Sequence, residues 1–152
     1  MKYLSVVITA LAALLASGYA LAAVMTNEKV PISLSVVIPC TGDNVTIQGP
    51  LHVVDAITLN ANTVHLTQEA NPQDVSGVGS LSHAMYRGVG VTRSDLNFNV
   101  NGFPAQETFV DNFRIIGQGR AANYMIHENA HVTINANGVV TTAFDDFKAT
   151  CT

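Results

Sequence analysis

From Val30 to the C-terminus the apolar residues of this chain recur at every second position, and no segment carries a convincing helical stripe. In an extended strand successive side chains point to opposite faces, so this period describes ribbons with one apolar and one polar side. The chain is therefore expected to be all-β. Ile32, Leu34 and Val36 mark a first strand, stopped by Pro39 and the turn signal Thr41-Gly42-Asp43-Asn44. Val45 to Leu59 reads as a long or bent strand with Gly49-Pro50 in its middle, where a proline demands an edge, a bulge or a corner. Asn60-Ala61-Asn62 is a hairpin loop into Thr63 to Glu69, and Ala70 to His83 is a longer polar connection suited to a mobile or binding loop.

Met85 to Thr92 is the next strand, Asp95 to Gln106 a short irregular one, and Glu107 to Ile116 and Asn123 to Asn135 are further strands separated by Gly117-Gln118-Gly119. Asn137-Gly138 matches a type I′ hairpin turn, whose two central positions both need positive φ, and leads into Val139 to Cys151. About seven strands with mostly short connections imply an antiparallel meander, closed into a β-barrel or folded as a two-layer β-sandwich.

The other informative segment is the N-terminus. Lys2 precedes an apolar run from Leu4 to Ala16, and Ala20-Leu21-Ala22 has the small-x-small pattern of a cleavage site. Residues 1–22 are accordingly read as a signal peptide and 23–152 as a single β-domain of roughly 130 residues, a common single-domain size. The apolar run is too short for a membrane span, and the product is expected to be secreted or periplasmic. Cys40 and Cys151 then sit in an oxidising compartment near the two ends of the folded region. They are expected to form one disulfide, since no CxxC or neighbouring ligand cluster suggests a metal or redox pair.

Charge narrows the partners. The chain has 7 Lys and Arg against 11 Asp and Glu, with no basic stripe. Nucleic acid and anionic membrane surfaces are therefore poor partners, because phosphate neutralisation needs concentrated cations.

Sorting strands by face exposes a pattern. Asp55 shares a face with Leu51, Val53, Ile57 and Leu59; Arg87 with Met85, Val89 and Val91; Asp111 with Phe109, Phe113 and Ile115; Glu128 with Tyr124, Ile126, Ala130 and Val132. If these faces line one interior, Asp55, Arg87, Asp111 and Glu128 form a polar cluster in an apolar cavity, able to bind a small polar or cationic ligand or to supply an acid and a base. The opposing reading leaves each charge at a strand end or on a face turned to water.

His127 and His131 share a face, but four residues of strand span about 13 Å, too far to share one metal. His52 and His65 fall opposite the apolar residues. No metal site is expected, a composite zinc or copper site across strands being the alternative. No GxSxG elbow occurs, and neither Gly88-x-Gly90 nor Gly117-x-Gly119 opens a helix, so no nucleophile motif, phosphate loop or cofactor is expected.

The runs Phe113-Arg114-Ile115-Ile116-Gly117-Gln118-Gly119, Ile126-His127-Glu128 and His131-Val132-Thr133-Ile134-Asn135-Ala136-Asn137-Gly138 resemble a family of small exported bacterial β-rich proteins. The resemblance implies a periplasmic or secreted product and assigns no activity, ligand or functional residue. Three function classes follow: a non-enzymatic exported domain binding a small ligand or a cell-envelope component, a carboxylate acid/base enzyme, and a structural or adhesive subunit pairing through an edge strand.

Overall fold

The computed structural model describes residues 21–152. The leader assigned to residues 1–22 therefore lies, but for its last two positions, outside the described residues. Eight strands occur and no helix among the described residues: β1 (Leu21–Ile38), β2 (Asp43–Asn60), β3 (Thr63–Pro72), β4 (Ser76–Gly79), β5 (Met85–Asn99), β6 (Ala105–Gly117), β7 (Tyr124–Ile134) and β8 (Val140–Cys151). Among the described residues no helix is long and apolar enough to cross a membrane. All pairings are antiparallel, in one sheet of order β1-β2-β3-β5-β6-β7-β8, with the short β4 bridging β2 and β5.

The alternation fixes the register. Cross-strand partners share a face, so the odd positions of β2 and β6 and the even positions of β1, β3, β5 and β7 form one continuous surface. At one end this surface closes on itself around Ile38, Val45, Ile47, Val75, Tyr86 and Ile115, which are essentially inaccessible. Ile32 and Val36 of β1 pack there against the same cluster as Phe113 of β6 and Tyr124 of β7, so the sheet curls until its first strand faces its last ones. β1 and β8 share no ladder, and the result is a curled, sandwich-like meander rather than a closed barrel. A disulfide between Cys40 and Cys151, with Cα atoms 6.1 Å apart, joins the two edges at the core end. It is compatible with an oxidising extracellular or periplasmic location.

One local expectation is made specific and two change. Gly49-Pro50 is the corner at which β2 exchanges partners, pairing β4 through Val45–Gln48 and β3 from Leu51 onward. The connection from Ala70 to His83 is largely held in place: Ala70–Pro72 extend β3, Ser76–Gly79 make a strand of their own, and Val75 is buried between them over Gly49 and Gly88. The β7–β8 turn is not type I′. Only Gly138 has positive φ there (75°), and the Gly138 amide donates to the Asn135 carbonyl (3.0 Å), as in a type I turn closed by a left-handed glycine.

Asp43 pins the rest of that connection. Only 1 % exposed, it accepts hydrogen bonds from the Ser82 hydroxyl and the Leu81 amide (2.9 Å). These donors favour the ionised form and hold its carboxyl below the usual carboxylate value of 3.8. The Thr26 hydroxyl and the Gln68 amide do the same for Asp55. A carboxyl lowered in the folded state contributes stability that is complete above 3.8 and is lost as pH falls through the lowered value. Melting temperature is thus expected to hold level down to about pH 4 and to drop below it, with a shallower acid limb in Asp43→Asn. A wild-type melting temperature unchanged at about pH 2.5 would refute this linkage.

Candidate functional site

Beyond the six-residue core no second layer of described residues covers the curled surface. Leu51, Val53, Ile57 and Leu59 of β2, Leu66 of β3, Leu96 of β5, Phe109 of β6 and Val132 of β7 all point to this inner face and are only half-buried. The polar outer face carries ladders of short polar side chains instead: His65 with Asn97, His127 with Asn112 (2.6 Å), His131 with the Thr108 hydroxyl (2.9 Å), and His52 with Asn27 (2.7 Å).

Two open cavities occupy the inner face. One of about 440 Å³ lies beside the core, lined by Ile32 and Leu34 of β1, Leu51, Ala70, Pro72, Thr92, Asp111, Phe113 and Ile126. Strands from both ends of the sheet line it, because the curl brings β1 over β6 and β7. The other, of about 520 Å³, sits farther along β6, β7 and β8, lined by Glu107, Phe109, Glu128, Ala130, Val132, Ala143 and Asp145 together with His131 and Phe144.

The sheet brings three of the four expected site residues to this inner face. Asp55 accepts from the Thr26 hydroxyl (2.6 Å) and the Gln68 amide (2.9 Å). Asp111 accepts from the Thr92 hydroxyl (2.7 Å) and stands directly opposite Glu128 across the β6–β7 ladder. Directly opposed side chains on an antiparallel pair have Cβ atoms about 5 Å apart, so these two carboxylates are close neighbours of like charge.

Arg87 does not join them, and this corrects the interior placement expected for it. Its side chain is 56 % exposed on the outer face, 3.8 Å from Asp74 in an ion pair open to water. The misplacement has a physical cause. On β5 the inward side is Tyr86, Gly88, Gly90 and Thr92, while Met85, Val89 and Val91 point outward and are 40 to 45 % exposed. A Cβ at Gly88 would press on Val75 Cγ1 (3.0 Å) and Phe113 Cζ (3.1 Å), so the inner side of this strand has no room for the larger apolar residues.

Three further carboxylates on the inner face escaped the strand sorting. Glu107 is two residues from Phe109 and four from Asp111, Asp145 lies between Ala143 and Phe147, and Glu28 pairs opposite Val53. The signal was present in the parity of each strand. Ser94 donates to Glu107 (3.0 Å), whereas Glu128 and Asp145 receive no side-chain donor among the described residues.

The inner face therefore sets carboxylates among half-buried apolar side chains. By register His52, His65, His127 and His131 fall on the other side of the sheet, and of these His131 also borders the outer cavity beside Glu107, Glu128 and Asp145. Among the described residues no group of three or more His, Cys, Asp or Glu is placed to hold a metal ion. No protein-family model matches this chain, and neither a curated protein nor a solved structure shows significant similarity to it.

Proposed function

We propose that this domain is a non-enzymatic binding module of an exported protein, periplasmic or secreted, which holds a small amphiphilic molecule against its inner face. The observation that carries this reading is the uncovered apolar side of the sheet. Cavities of about 440 and 520 Å³ fall within the size range of small-molecule sites, and their linings are mainly apolar with a few polar groups to orient a ligand. The N-terminal charge, apolar run and small-residue site support export, and the disulfide agrees with it.

Assembly through edge strands has less support. β8 is exposed along its whole length, but Asp145, Asp146 and Lys148 fall in its middle, and Pro31 interrupts the β1 edge. Charges and prolines on edge strands discourage pairing with a neighbouring chain.

The test is titration with a neutral apolar fluorophore, N-phenyl-1-naphthylamine. Saturable fluorescence enhancement is expected, with affinity reduced about tenfold or more when Ala130→Phe and Ala70→Phe fill the two cavities, a loss equivalent to about 1.4 kcal/mol. An absent or non-saturating response in the wild-type protein would count against the reading.

A further inference from the structure

Resting on that reading, the geometry points to the chemical class of the ligand: a small cationic amphiphile, with an apolar chain or ring system and an ammonium or guanidinium head. Among the described strand residues the inner face carries carboxylates and no cation, whereas the outer face mixes its lysines and arginines with Glu69, Asp95 and Asp146. Glu28, Asp55, Glu107, Asp111, Glu128 and Asp145 all stand on the inner, apolar face. Lys29, Arg87, Arg93, Arg114 and Lys148, the strand lysines and arginines among the described residues, all stand on the outer one.

Apolar burial alone would not select for this. A sheet that only needed a greasy interior has no use for six carboxylates on its apolar side, and mixed charges would be cheaper to hold there than charges of one sign. Asp111 and Glu128 oppose each other directly with no cation between them among the described residues, an arrangement that destabilises a ladder. A bound cationic head relieves that repulsion, while an anionic amphiphile adds to it and a neutral one strips water from the carboxylates without replacing it.

The positions suit a head and a tail. Asp111 borders the cavity beside the core, and Glu107, Glu128 and Asp145 border the outer one, with apolar rows on both sides of this acidic belt. Phe109 and Phe147 share the same face, opposite Ala130 and Glu128 respectively, and offer aromatic surface of the kind that attracts a cation. The two cavities match a small molecule rather than the long groove a helical peptide requires.

The experiment compares three ligands with the same twelve-carbon tail below their micellar concentrations: dodecyltrimethylammonium, dodecanol and dodecyl sulfate. Each is read by displacement of N-phenyl-1-naphthylamine from the full-length mature protein. The cation is expected to bind at least tenfold more tightly than the alcohol, with the sulfate weakest, and its advantage should shrink in high salt. Glu128→Gln with Asp111→Asn, and separately the exposed Asp145→Asn, should reduce the cation's advantage over dodecanol. Circular dichroism identifies any variant that fails to fold. Equal affinities for the cation and the alcohol in wild type, or a preference that survives in all folded variants, would overturn the cationic assignment while leaving the binding reading intact. Failure of the fluorophore itself to bind would remove both. Tight binding of a basic amphipathic peptide that dodecyltrimethylammonium cannot displace would replace the small molecule with a peptide partner.

Discussion

Replacing Cys40 and Cys151 with serine is expected to lower the free energy of unfolding by about 4 to 5 kcal/mol. The cysteines are 111 residues apart, and in the chain-entropy description closing a loop of that length removes this much freedom from the unfolded chain. The effect weighs heavily here because only six apolar side chains among the described residues are fully buried. Domains as a class retain about 5 to 15 kcal/mol, so the loss would take a major share of the total. It also has a local component: the bond is the covalent link between two edges that share no ladder, and it sits beside Ile38, which caps the core. Urea unfolding of the oxidised protein and the double-serine variant measures the difference. A change below about 1 kcal/mol would mean that ladders and core hold the curl unaided.

Gly90→Ala should cost about 3 kcal/mol or more, through two separate terms. Gly90 has φ of 130°, a conformation that side-chain-bearing residues rarely adopt. A Cβ there would also drive into the carbonyl oxygen of Asn112 and lie 3.1 Å from Phe113 Cα, both on the neighbouring strand β6. Backbone on a paired strand cannot swing aside as a flexible side chain can. Gly102→Ala separates the terms, since its φ is 103° but nothing lies within 4 Å of its Cβ. It should therefore show the conformational cost alone, about 1 to 2 kcal/mol. Equal melting temperatures for the two variants would show that the close approach to β6 carries no energy.

The strand content was readable from the sequence because period two is a direct record of which side chains meet the core. Asp55, Asp111 and Glu128 could be assigned to the apolar side on that basis, since each lies an even number of residues from its apolar neighbours on an unbroken strand. Arg87 could not. On β5 the sorting rule equates large apolar residues with the inside, and it fails where tight packing by Val75 and Phe113 leaves space only for hydrogen. β4 was hidden for a different reason: four residues are too few to show a period, and Ser76–Gly79 is a strand only because β2 and β5 both pair with it. The gathering of every inner-face charge to one sign was not visible until the register of all eight ribbons was known, because it is a property of the sheet and not of any single strand.

The missing ladder between β1 and β8 has a mechanical consequence. Held at one end by the Cys40–Cys151 bond and the packing of Ile32 and Val36 on the core, the seam has no ladder along the rest of its length, so spreading it there, like the jaws of a peg pivoting on its spring, breaks no β1–β8 backbone hydrogen bond. Under the proposed binding role, guests of different girth would be accommodated for the energy of bending one ribbon, a tolerance that a fully zipped cylinder of the same length would lack.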